Sequence, residues 1–490
     1  MTLPRRALTL FACALALGIL GDYLVRASLW GVNVSLGVLA VAGVAVVLRR
    51  SRQPDPDENH SVWPWLAAGF FATMWAVRDA ETLLAADLLA VLALSSLPLV
   101  PSATLAPAGA VETLAAPARA AWHAALGTFR VASATRPLVQ QTLAATRATS
   151  IGVGLLLALP VVLVFGGLFA SADPVFGAAV SSLISVNLEQ IASHVFLTGF
   201  FAWAIAGYLW AVASPPRPQK IPLAQPGLSH LAVLTALGAV ALVFTAFVAT
   251  QAGSLFGGEA FIQEQTGLTY AEYARGGFFQ MIAASALSLP LVYAAPFVTG
   301  PAANGRESAS LKSLLTLQLG LTGLVLASAL WRMGLYVHAY GLTEDRVYGT
   351  AVMLWIGATI AVFARTVLRG RPARAAFGSV VSAVVLLAAL NLMNPQAFIA
   401  RYNLDHPGPR GPDVAHLAKL GGDAVPLLVS RLDDLGPQAR CTLTTELVRR
   451  HAASRGDWRD WNLARARARR AVRGITSFGD ACPAPPAASR

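Results

Sequence analysis

Apolar stretches of about twenty residues, the length a helix needs to cross a bilayer, recur along this chain from its N-terminus to Phe398, and most are separated by short polar or basic links. Inside hydrocarbon every backbone N–H and C=O must find a partner within the chain, so these stretches are expected to form an all-α polytopic bundle of about eleven spans. The candidate spans are Ala7 to Val25, Ser28 to Leu48, Trp63 to Val77, Leu83 to Val100, Ile151 to Ala170 and Ile191 to Ala213. Leu231 to Ala252, Gly276 to Val298, Leu314 to Val337, Gly349 to Val367 and Phe377 to Phe398 complete the set. Arg5 and Arg6 before a short apolar run also suit a signal peptide, but no A-x-A-like site precedes a polar mature region, and the run is read as a retained span.

The 490 residues are 56% hydrophobic and 13% charged, with mean hydropathy +0.58, which excludes an ordinary soluble domain. A net charge of +12 raises nucleic acid as a partner. The arginines fall in links between spans, however, where anionic head groups and insertion bias account for them, so the expected partner is the lipid bilayer and not nucleic acid. The sequence names no protein partner. Cys13, Cys441 and Cys482 form no CxxC or Cys/His cluster, so neither metal nor cofactor is expected. Walker A, H-E-x-x-H and G-x-S-x-G patterns are missing as well.

Positive charge resists translocation, and it is unevenly shared between the two sets of links. Arg5, Arg6, Arg49, Arg50, Arg52, Arg119, Arg130, Arg136, Arg147, Arg217, Lys220, Arg306, Lys312, Arg369, Arg371 and Arg374 fall on one side, and little more than Arg26, Arg78, Arg275 and Arg346 on the other. This places the N-terminus in the cytoplasm and the C-terminal tail outside. Four regions follow: a four-span region at 1–105, a cytoplasmic amphipathic linker at 106–150, a seven-span core at 151–400, and a polar helical tail at 401–490. In the linker, Leu114, Ala118, Trp122, Ala125 and Phe129 recur at helical spacing, which suits a helix on the inner membrane surface. The tail divides at Gly421, Gly436 and Gly456 into helices near Pro412 to Leu420, Asp423 to Leu435, Pro437 to His451 and Asp457 to Val472, and is expected to pack on the outer mouth of the bundle. An exoplasmic tail would hold Cys441 and Cys482 in one oxidising compartment, where they could pair.

Four strings stand out: FASADPVFG from Phe169, YAEYARGGFF from Tyr270, RMGLYVHAYGLTEDRVYG from Arg332, and NLMNP running on to ARYNLDHP. On these the chain resembles an uncharacterised bacterial multi-pass membrane family, domain of unknown function 4173, with its relative 4153. The resemblance implies a many-spanning protein of a bacterial cytoplasmic membrane and carries no activity.

Under the orientation above, all four strings meet on the outer face, as side chains from distant spans do at a bundle site. The candidate ligand-binding residues are Asp173, Glu272, Tyr273, Arg275, Arg332, Tyr336, Tyr340, Glu344, Arg346 and Arg401. A guanidinium two turns inside a span costs about 2.5–3.5 kcal/mol unless paired, so Arg332 needs an acceptor, with Glu272, Glu344, Asp345 or Asp173 on offer. Each has a plainer reading. Thr269 to Glu272 is a capping box and Thr343 an N-cap; Arg332 also suits a structural salt bridge, and the other arginines suit contact with lipid phosphates. Asp22 and Arg26 read as a local pair, while Asp87 is a membrane-level acid that a cation-coupled carrier could use or that is hydrated at the mouth. The expected function is a noncatalytic ligand- or lipid-binding, transport-type protein with its site at the exoplasmic face. A membrane-embedded enzyme on a lipid-linked anion and a scaffold or signalling partner are the alternatives.

Overall fold

The structure, a computed structural model of the chain, describes residues 3–27, 29–51, 61–100, 110–143, 188–214, 228–256, 277–299, 305–369, 371, 373–407, 411–452 and 456–475, with isolated positions between 162 and 176. The chain is an all-α polytopic membrane protein. Its helices are α1 (Leu3–Val25), α2 (Val32–Arg50), α3 (Trp63–Val77), α4 (Glu81–Ser96), α5 (Ala110–Leu114), α6 (Ala116–Leu143) and α7 (Leu188–Ala213). Then come α8 (His230–Phe256), α9 (Phe278–Val298), α10 (Gly305–Tyr340), α11 (Glu344–Thr366) and α12 (Ala373–Met393). Among the described residues, nine helices are long and apolar enough to cross a membrane. The 15-residue α3 is shorter, and it buries Trp65, Ala68, Phe71 and Ala72. The fifth expected span lies mainly outside the described residues.

Contacts between helix ends show how the chain alternates. Asp22 and Arg26 at the end of α1 do pair, at 2.8 Å, but the pair is more than local: Arg26 also donates to Ser193 at 3.0 Å, and Asp22 meets His194, both at the start of α7. The ends of α3 and α12 meet where Arg78 Nε donates to the Asn391 carbonyl at 2.7 Å. The start of α9 meets the end of α10 through Phe278 and Tyr336, with ring centroids 6.5 Å apart. One face of the bundle therefore gathers the ends of α1, α3, α8, α10 and α12 and the starts of α2, α4, α7, α9 and α11.

The segment expected as a helix on the inner membrane surface forms the helix α6, whose small-residue face packs along α7. Thr128 Oγ1 donates to the Trp203 carbonyl at 2.5 Å, and a Cβ on Gly127 would stand 2.8 Å from the Gly207 Cα. Trp122 and Phe129 stay exposed on the other side of α6.

The last expected span ends early. Asn394 adopts φ 58°, its Oδ1 accepts from the Ala397 N–H at 3.2 Å, and Pro395 opens a new helix, α13 (Pro395–Asp405). Proline has no N–H to continue α12, and an asparagine tolerates the left-handed turn better than most residues. After α13 the tail folds as α14 (Val414–Leu417), α15 (Val425–Ser430), α16 (Pro437–His451) and α17 (Leu463–Arg473). Asp413 and Asn462 cap α14 and α17 by accepting from the N–H groups of His416 and Arg465. Leu417, Leu428, Leu443, Leu447 and Val472 form the tail's core, which continues into Ile399 and Ala400 of α13 and Leu342 and Val347 of the bundle. The tail is thus docked on one end of the bundle by a shared core.

Candidate functional site

Close to the tail-bearing face, α8, α9 and α10 enclose a cavity of about 330 Å³. Its walls are apolar, from Val243, Phe244 and Phe247 of α8, Met281 and Ala284 of α9 and Val325 of α10; its polar end carries Gln251, Gln280 and Arg332. Arg332 is only 6% exposed, and its Nη2 donates to Gln251 Oε1 at 2.6 Å, an oxygen that also accepts from Ser328 at 3.1 Å. The acceptor that Arg332 requires is thus supplied in part by an amide from a neighbouring span. Gly277 borders the same end with φ +77° and precedes α9, so the partial positive charge of that helix start lies beside the guanidinium. Val243 is 67% exposed and Phe247 38%, which opens the apolar wall toward the side where acyl chains lie.

The remaining expected site residues are distributed otherwise. Arg346 is buried, and donates to the carbonyls of Tyr340, at 3.0 Å, and of Gly341. Its guanidinium stacks 4.0 Å from the Tyr336 ring centroid and 6.0 Å from that of Tyr340. These three motif residues make one cluster that finishes α10, and Tyr336 carries it to the first turn of α9. Glu344 accepts from Gln396 at 2.7 Å, and Thr343 precedes α11 without a side-chain cap bond, contrary to the capping role expected of it. Arg401 is exposed on α13. Asp173 is exposed and accepts from the Val175 N–H at 2.8 Å. Glu272, Tyr273, Arg275 and the Thr269 to Glu272 capping box lie outside the described residues, as does Cys482; Cys441 sits on α16.

A polar seam that the sequence reading missed joins tail and bundle. Arg78 pairs with Asp423 at 3.2 Å, and Arg465 with Asp79 at 2.8 Å. The Asp79 N–H donates to Asp423 Oδ2 at 2.5 Å, and Asn462 Nδ2 donates to the carbonyls of Trp75 and Arg78. Burial pushes the Asp423 carboxyl above the ordinary carboxylate range, and the Asp79 N–H and Arg78 only partly pull it back. Asn403 clamps the link between α10 and α11: its Nδ2 donates to the Leu342 carbonyl at 2.8 Å and its Oδ1 accepts from the Leu342 N–H at 2.7 Å. Gly341, at φ +75°, passes so close that a Cβ would stand 2.7 Å from that Oδ1. The sequence held one usable hint, since Arg78 was among the few basic residues on its side. Much of the distinctive RMGLYVHAYGLTEDR and NLMNP to ARYN strings therefore serves docking.

Comparison with known proteins adds a family whose function is not known. A family model described as a domain of unknown function, DUF4153, matches residues 65–430. It is the relative that the motif strings suggested, and not DUF4173, that is found. No curated protein and no solved structure matches the chain.

Proposed function

As a member of the DUF4153 family the chain inherits no activity, and we propose from its geometry that it is a membrane protein that binds an amphipathic anion in the α8–α9–α10 cavity. The observation that carries this is the position of buried Arg332: a cation bonded to Gln251, beside a helix start, at the polar end of a cavity whose other walls are aromatic and aliphatic. A guanidinium fork recognises phosphate or carboxylate oxygens, while the lateral apolar wall accepts acyl or prenyl chains. Binding without chemistry is the reading, because the cavity lining offers one cation and amides and no carboxylate among the described residues.

Arg332→Gln keeps a polar group of similar reach beside Gln251 and is expected to fold. Native mass spectrometry in nanodiscs should then show co-purified anionic lipid reduced by about tenfold or more, as loss of about 1.4 kcal/mol requires. Unchanged lipid in a folded variant overturns the proposal.

The arginine asymmetry supports an orientation with the N-terminus in the cytoplasm and the tail, with the cavity's polar end, outside. Cys441 and Cys482 are then proposed to pair. A membrane-impermeant maleimide applied to intact cells after reduction should label both, and labelling only after lysis puts the tail inside.

A further inference from the structure

Asp87 is wholly buried in α4, and the described residues satisfy only one of its oxygens. Asn391 Nδ2 donates to its Oδ1 at 2.8 Å, and Oδ2 receives no hydrogen bond from them. Asn391, equally buried, also directs its Nδ2 to the Leu387 carbonyl at 3.0 Å, which leaves its own Oδ1 without a donor. Just past the Asn394–Pro395 break stands Gln396, 5% exposed. Its Nε2 is held by Glu344, and its Oε1 is likewise unpartnered among the described residues. One turn beyond Glu344, the buried Tyr348 hydroxyl has no partner among them either.

Two buried, acceptor-only oxygens thus lie on α4 and α12, joined by the Asn391 amide, and a third, Gln396 Oε1, follows past the break in the first turn of α13. Leaving them unmatched in a low-dielectric interior is costly, and a positive charge answers them best. The neighbouring cations are already engaged: Arg78 by Asp423 and the Asn391 carbonyl, and Arg465 by Asp79. Glu344 is held by Gln396, so one carboxylate faces neutral amide oxygens, which balances a single positive charge and not two. We propose that Asp87, Asn391 and Gln396 form a monovalent-cation site of the sodium class, independent of the Arg332 cavity. Because Asn391 and Gln396 flank the turn from which α13 leads into the tail, occupancy stabilises the docked tail.

The test is thermal unfolding of the full-length protein in nanodiscs, with sodium chloride titrated against N-methyl-D-glucamine chloride at constant ionic strength and at two pH values. The wild type is expected to gain several degrees in Tm, saturably, with sodium alone. Asp87→Asn, an isosteric change, should remove that gain. A wild type indifferent to sodium overturns the proposal without any variant. So does a sodium gain that survives in Asp87→Asn, or a response to pH alone, which would mean that a proton fills the role. Arg332→Gln should leave the sodium gain intact, so that failure of the lipid-binding reading and failure of this one are told apart.

Discussion

Asp423→Ala is expected to loosen the C-terminal region from the membrane bundle. Removing the buried carboxylate takes the counter-charge from the partly buried Arg78 guanidinium, which keeps only carbonyl acceptors, and takes the acceptor from the Asp79 N–H. Breaking a buried pair from one side costs about 3–5 kcal/mol, a large share of any domain's stability. The measurement is limited proteolysis of the folded protein in nanodiscs: the link between α13 and α14 should be cut at least tenfold faster in the variant. Burial already pushes the Asp423 carboxyl upward, which means that the pair does not fully compensate its own desolvation. Replacing both partners by apolar residues, Arg78→Met with Asp423→Leu, should therefore recover part of the loss. Recovery would mark the pair as a device that specifies where the tail docks, and equal cutting of wild type and Asp423→Ala would remove it from the account of docking.

Gly207→Leu should have an effect at least as large, on the bundle itself. A Cβ at Gly207 would overlap the His123 carbonyl oxygen and stand 2.6 Å from that of Ala124, and these are backbone atoms that no rotamer change can move. Helices in lipid associate by close packing of small residues, because the solvent is as apolar as the side chains. Forcing α6 from α7 also breaks the Thr128 bond to the Trp203 carbonyl. Overpacking costs about 1–3 kcal/mol for added methylenes in ordinary cores, and a whole isobutyl group against backbone exceeds that. Detergent-solubilised Gly207→Leu should give little monodisperse protein, whereas Gly43→Leu, where a Cβ meets nothing within 4 Å, should purify like the wild type. Equal yields from both would mean that the crossing is not tight.

Hydropathy and length made the membrane helices legible, because the cost of an unpaired backbone group in lipid leaves a chain no other way to cross. The Asp22–Arg26 pair and the helix-initiating residues Asp413 and Asn462 follow rules that act over four residues or fewer, and these too can be read locally. The end of α12 was misplaced by a turn or so, since hydropathy averages over Asn394–Pro395 and does not sense a left-handed φ. The seam was invisible for another reason. Arg78 and Asp423 are 345 residues apart and Arg465 and Asp79 are 386, and nothing local distinguishes charges that will meet from charges that stay in water. The candidate site was only partly legible. Arg332 announced itself by its burial cost, but its partner Gln251 is an unremarkable amide near the end of another span. Arg346, Tyr336 and Tyr340 do belong to one constellation, with Arg346 and not Arg332 against the two rings, and that constellation completes a helix.

The contacts of the tail with the first helices also set an order of events during synthesis. Asp79 joins Arg465, the Val32 N–H meets the Trp461 carbonyl at 2.9 Å, and Arg459 lies 4.6 Å from the Tyr23 ring centroid. Tyr23, Val32 and Asp79 must therefore wait at the rim of the insertion machinery until residues 459–465 have left the ribosome. A nascent chain stalled before Asp423 would display Arg78 and Asp79 without their counter-charges, a mark by which quality-control proteases can tell an undocked tail from a docked one.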